Sequence, residues 1–213
     1  MHNNPAVKAL TKVNGSPFYI PYSKYYKFVF FRHPFTRMVS AWRNKFQPIN
    51  GKVNKYFYKN FGLQIMRITR KDRGVADFIR NKEPFLSFQE FIVGIRHRII
   101  DRHWMPQSEI CRPCDLEYSF IGFFENLDND TTYIMKHVGI TDANLIPTKI
   151  SVAGSNVSTT VVTKEYFNNL PQEDIDMLYE YYRKDFELFG YDKDVNSPNF
   201  PNPGISKVFN LHV

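Results

Sequence analysis

KFVFFRHPFTRMVSAWRNKF, Lys27 to Phe46, is the stretch that decides the fold. Its first part, Phe28 to Phe31, reads as a buried strand, four apolar residues of β-favouring type in succession. Pro34 then opens a helix that runs to about Phe46, because a missing N–H costs nothing in the first helical turn. Arg32 sits at the strand exit and Ser40 two turns into the helix. A strand feeding a helix N-terminus makes an anion site, since free N–H groups and the helix dipole point at the ligand. An arginine at the entrance adds a fork of donors that fits phosphate oxygens. The same residues also describe an ordinary strand–helix unit with a surface arginine, and physics alone leaves the two readings level.

Outward from that unit, the pattern is mostly helical. Met1 to Ser23 is a loop-rich lead-in, 24–192 forms the domain, and 193–213 is a proline-containing tail expected to be disordered from Ser197. Gln47 to Gly62 reads as an irregular excursion, and Leu63 to Arg73 as a basic helical stretch. Ser87-x-x-Glu90 is a capping box that opens a helix with Phe88, Phe91, Ile92 and Ile95 on one face. A loop from Asp101 to Glu117 leads to a second strand, Phe120 to Phe124, and Asp128 caps a helix reaching about Val138. Thr148 to Thr163 reads as a mobile loop. Pro171 to Phe189 is a long amphipathic helix, stopped by Gly190. Few strands alternating with helices predict an α/β domain with a short parallel sheet flanked by helices.

A chain of 213 residues, 43% hydrophobic and 16% aromatic, is long and apolar enough for one packed domain. No run approaches the roughly 18 apolar residues that span a bilayer, and Met1 to Leu10 lacks the apolar core of a signal peptide. The net charge of +7 is unevenly spread: residues 1–106 carry 20 Lys and Arg against 5 Asp and Glu, residues 107–213 carry 8 against 16. That asymmetry suits an anionic partner facing the first half. An acidic glycan with a nucleotide fits it, as does nucleic acid, as do plain solvated helix faces. No RNA or DNA motif is present, so nucleic acid is not the expected partner.

Cys111 and Cys114 form a C-x-x-C, but zinc needs two more ligands and none of the six His has finger-like spacing, so no metal is expected. A structural disulfide is the better reading of the pair. His103, in a loop beside Trp104, is either a general base or a structural hydrogen-bonder. Glu125 is either a second base or the anchor of a neighbouring loop.

Three ordered blocks carry a family resemblance. Arg32, Pro34, Phe35, Arg37, Ser40 and Ala41 resemble the R-x-P-F-x-R-x-x-S-A pattern of Golgi carbohydrate sulfotransferases. HWMPQSEICRPC, His103 to Cys114, with YSFIGFFE, Tyr118 to Glu125, is similar to the H-W-x-P-Q…C-x-P-C…Y-x-F-I-G-x-F-E block of the chondroitin and dermatan 4-O-sulfotransferases. Glu165-Tyr166-Phe167 and LYEYYRKDFELFGY, Leu178 to Tyr191, resemble the family's C-terminal block. The likeness spans about Tyr25 to Asp192.

The resemblance implies a sulfotransferase fold, related to P-loop NTPases. It also implies sulfate transfer from 3′-phosphoadenosine 5′-phosphosulfate to a sugar hydroxyl of a glycosaminoglycan or glycoprotein glycan. Arg32 and Ser40 would hold the donor's 3′-phosphate, and His103 would take the hydroxyl proton. His33 stands where the family often has an acidic residue, a position that varies. The family's 5′-phosphosulfate loop, a strand, a Lys-Gly turn and a helix, has no counterpart in the first 26 residues. The expectation is therefore an incomplete N-terminus and a polypeptide that alone transfers little sulfate. The alternative is an inactive relative that binds acidic glycan. The resemblance further implies a type II protein of the Golgi membrane with this domain in the lumen.

Overall fold

A computed structural model of the chain describes residues 25–49, 51–80, 85–140 and 159–203. The lead-in 1–23 lies outside them, as does 148–158 of the expected mobile loop. Strand β1, Phe28–Phe31, is followed by helix α1, Pro34–Phe46, both as the opening stretch predicts. Helix α2, Lys55–Phe57, runs through a wide turn, Tyr58–Gly62, into α3, Leu63–Ile79. Helix α4 is Phe88–Arg96 and α5 is Gln107–Cys111. Strand β2, Phe120–Phe123, leads through a tight turn, Phe124–Asn126, to α6, Leu127–His137. Helices α7, Thr159–Asn168, and α8, Gln172–Phe189, follow.

β1 and β2 pair in parallel, with Phe28 opposite Phe120 and Phe31 opposite Phe123. This is the short parallel sheet that the pattern predicts. The strand is less buried than its composition suggests: Phe28 is 51% exposed, and only Phe31 is fully enclosed. The reason is topological, since among the described residues β1 has one ladder partner and so lies at an edge. Gly122 sits opposite Phe30 in the ladder. A Cβ there would stand 2.7 Å from the Phe30 ring and 2.9 Å from the Phe120 ring, so a side chain at this position would have to displace both rings.

The core forms where α1 lies between α4, α7 and α8. Phe31, Phe35, Met38, Phe46, Trp104 and Leu178 are fully buried. Phe35 stacks on Phe167 at 4.3 Å and meets Phe186 edge-on at 4.9 Å. The capping box is formed in full: Glu90 N–H donates to Ser87 Oγ, and Ser87 N–H to the Glu90 carboxylate. α8 ends at Gly190, whose φ of 67° is the left-handed cap that glycine adopts without strain.

Four expectations are corrected. The Gln47 to Gly62 excursion is half helical, because Phe57 and Tyr58 are driven into the core and the Tyr58 hydroxyl bonds Phe46 O at 2.7 Å. The loop from Asp101 to Glu117 contains α5. Residues 159–163 belong to α7, where burial of Thr163 and Phe167 overrides weak local propensity. The tail is packed as far as it is described: Val195 and Phe200 are buried, and Phe200 meets the His33 ring edge-on at 4.6 Å.

Candidate functional site

The exit of β1 is held by two side chains from the middle of the chain. Gln107 brackets Arg32: its Oε1 accepts from Arg32 N–H at 3.0 Å and its Nε2 donates to Arg32 O at 2.6 Å. Glu125 takes the next residue, its Oε1 accepting from His33 N–H at 2.9 Å. Each of these is held in turn by the C-terminal block. The fully buried Asp185 of α8 accepts from Gln107 N–H at 2.7 Å and Ser108 N–H at 2.8 Å. Tyr191 donates its hydroxyl to Glu125 Oε2 at 3.1 Å.

His33 caps α1. Its Nδ1 accepts from Phe35 N–H at 3.2 Å, so Nε2 carries the proton and donates to Asp192 O at 2.8 Å. Three backbone amides of this corner are therefore already taken, that of Arg32 by Gln107, that of His33 by a carboxylate and that of Phe35 by an imidazole. Anion binding here depends the more on side chains.

The Arg32 side chain is arranged for that. Its Nε donates to Thr36 Oγ1 at 3.1 Å, and its guanidinium lies 4.5 Å from the Phe124 ring centroid. Among the described residues its two terminal nitrogens have no hydrogen-bond or ion-pair partner. Burial pushes the Arg32 guanidinium below its usual pKa, with Glu125 and Tyr191 pulling it back up. Arg37, the other arginine of the motif, is spent internally: its terminal nitrogens donate to Met105 O at 2.5 Å and Arg102 O at 2.7 Å. Ser40 follows Thr36 by four residues, so it lies on the same face of α1, about 5–6 Å further along. It is half-buried and its hydroxyl has no partner among the described residues.

His103 stands apart from this pair. It is exposed on the loop between α4 and α5, its Nδ1 against Asp101 Oδ1, with Phe57 edge-on at 5.3 Å. Burial pushes the Asp101 carboxyl up, but the bonds from His103 outweigh it and leave the carboxyl below its usual value. No contact among the described residues joins His103 to Arg32 or Ser40. Trp104 packs in the core, fully buried with Nε1 donating to Ile99 O at 3.0 Å. Glu125 is an anchor for the β1 exit, as its alternative reading has it; burial pushes its carboxyl up, against the bonds from His33 and Tyr191.

Cys111 and Cys114 are free thiols, which corrects the expected disulfide. The turn is closed by other means: Arg112 pairs with Asp115 at 2.7 Å, and the Tyr118 hydroxyl donates to Cys111 O at 2.8 Å. Cys114 is exposed, whereas burial pushes the Cys111 thiol up in pKa. Thiolate is the reactive form, so maleimide labels Cys114 first and Cys111 slowly, as mass spectrometry of peptides would show. Labelling that needs prior reduction would overturn the free-thiol assignment. Among the described residues no cluster of His, Cys, Asp and Glu can hold a metal ion.

The model of the sulfotransferase family matches residues 4–192. The chain belongs to the sulfotransferase family. Rat carbohydrate sulfotransferase 11 is 34% identical over 173 residues, covering 78% of this chain and 47% of the relative. Zebrafish carbohydrate sulfotransferase 14 is 35% identical over 175 residues, 78% of this chain and 44% of the relative. Human carbohydrate sulfotransferase 10 is 32% identical over 176 residues, 79% and 48%. The chain thus spans about half the length of these curated sulfotransferases. No solved structure matches it.

His33 gives this domain a titration of its own. Burial, outweighing the bond and charge of Asp192, pushes the imidazole down to about 4. The unfolded chain protonates the same ring near 6.5, so between those values the unfolded state binds more protons. Stability is therefore full above pH 6.5 and is lost on acidification towards pH 4, by about 3 kcal/mol. In a His33→Gln variant Glu125 and the other groups titrate as before and that contribution disappears. The expected result, read from urea unfolding at pH 7 and pH 4.5, is a wild-type advantage that shrinks at the lower pH. An advantage independent of pH would overturn the assignment.

Proposed function

We propose that this domain moves sulfate from 3′-phosphoadenosine 5′-phosphosulfate to a sugar hydroxyl of a glycosaminoglycan or glycoprotein glycan. One observation carries the reading: Arg32 is oriented through Nε and Phe124 while its terminal nitrogens are left open, the presentation that a phosphate takes in bidentate fashion. Ser40, on the same face, adds a hydroxyl for the same 3′-phosphate. The sulfotransferase relatives, each named for a carbohydrate acceptor, support a sugar as the recipient.

In the reaction the acceptor oxygen forms a new S–O bond as the S–O bond to the donor's phosphate breaks, and adenosine 3′,5′-bisphosphate leaves. The hydroxyl proton goes to His103 Nε2. Asp101, on Nδ1, holds the ring with Nε2 turned away and offsets the charge of the imidazolium. The work at sulfur is chiefly alignment and charge neutralisation, as in phosphoryl transfer. The basic first half, 20 Lys and Arg against 5 acidic residues, suits an anionic acceptor as well as the donor. A P-loop-like core and a lumenal Golgi location belong to the same proposal.

The test is calorimetry with adenosine 3′,5′-bisphosphate and adenosine 5′-monophosphate, followed by transfer of labelled sulfate to a panel of desulfated glycans. Preference for the bisphosphate is expected, with only slight sulfate incorporation, confined to one glycan class, from this polypeptide alone. Glycan binding without any nucleotide preference would overturn the proposal in favour of a non-catalytic binder.

A further inference from the structure

The β ladder stops at Phe31 and Phe123, one residue short of Arg32. Beyond it β2 turns away into the tight turn at Phe124. Arg32 would be left with an open N–H and C=O at the place where its side chain has to be aimed. Gln107 fills both. A carboxamide carries a donor nitrogen and an acceptor oxygen side by side in a single plane, so one side chain does the work of a neighbouring strand residue. Gln107 is itself 6% exposed, and its own N–H is fixed by Asp185.

We infer that Gln107 is a positioning residue for the donor nucleotide: its carboxamide clamp on the Arg32 backbone sets where the Arg32 guanidinium meets the 3′-phosphate. The inference rests on the proposed donor site and adds to it a residue that touches no substrate. Arg32 has a long lever arm, and Thr36 and Phe124 hold only its far end. A small rotation of the peptide swings that end off the phosphate. Displacements of about 1 Å are enough to lose up to 100-fold at such sites.

The test compares the two nucleotides in a Gln107→Met variant, which keeps the size and loses both bonds. Adenosine 3′,5′-bisphosphate is expected to bind about 10- to 100-fold more weakly, and adenosine 5′-monophosphate as before. In an Arg32→Ala background the same substitution is expected to change neither. If Gln107→Met does not fold, Gln107→Glu keeps the acceptor, removes the donor, and is expected to show the same selective loss. Equal loss for both nucleotides would mean general structural damage and would overturn the inference. So would a loss that persists without Arg32, or no loss at all. If the unaltered protein fails to prefer the bisphosphate, the donor-site reading itself fails, and Gln107 with it.

Discussion

Replacing Asp185 with alanine is expected to lower the free energy of unfolding by about 3–5 kcal/mol. The carboxylate is fully buried and accepts two backbone N–H groups, those of Gln107 and Ser108. Bonds to a charged acceptor contribute about 1.5–3 kcal/mol each, and truncation leaves both amides of α5 without a partner. Water cannot easily replace the carboxylate between α5 and α8. Asp185→Asn is the graded control. It keeps the shape and one acceptor oxygen, but turns an NH2 towards an N–H, and is expected to cost about half as much. Urea unfolding followed by circular dichroism gives both values; a change below about 1 kcal/mol for the alanine variant would remove Asp185 from its assigned role.

Arg32→Ala has the largest expected effect on binding. Two charge-assisted hydrogen bonds to one phosphate amount to about 3–4 kcal/mol, so affinity for adenosine 3′,5′-bisphosphate should fall 10²- to 10³-fold. Adenosine 5′-monophosphate has no 3′-phosphate and should lose less than about threefold. Arg32→Lys keeps a point charge without the fork and should fall between the two. Ser40→Ala removes one neutral donor and should cost about tenfold. Stability should fall only by about 1–2 kcal/mol in Arg32→Ala, because within the described protein the guanidinium makes one hydrogen bond, to Thr36, and one ring contact, to Phe124. Calorimetry with both nucleotides separates these cases. Equal losses for the two nucleotides would place Arg32 outside the 3′-phosphate site.

The elements around Arg32 were legible because their signals are local. Four apolar residues and a proline set β1 and the start of α1; Ser87 with Glu90 set the start of α4; Gly190 set the end of α8. The blocks of motif were legible too, but the bonds between them were not. Nothing near Gln107 in the chain says that its amide meets Arg32, nor near Asp185 that it holds α5. His33 looked like a variable position in the motif, yet it is a buried cap whose partner, Asp192, lies 159 residues away. The two level readings of the strand–helix corner could not be separated for the same reason. Local sequence shows that a helix begins after a strand, and only the folded chain shows that Gln107, Glu125 and His33 occupy three of its amides. Thr159 to Thr163 was misread as loop because its helix depends on Phe167 packing against Phe35.

The two relays that converge on the β1 exit also fix an order of biosynthesis. Arg32 waits for Gln107, 75 residues later, and Gln107 for Asp185, a further 78. His33 waits for Glu125 across 92 residues. A ribosome that has delivered β1 and α1 has therefore made every donor-contacting residue proposed at this corner without being able to assemble them. They lock only once α8 has emerged, so a nascent chain released before that helix would carry the motif intact and the site unformed.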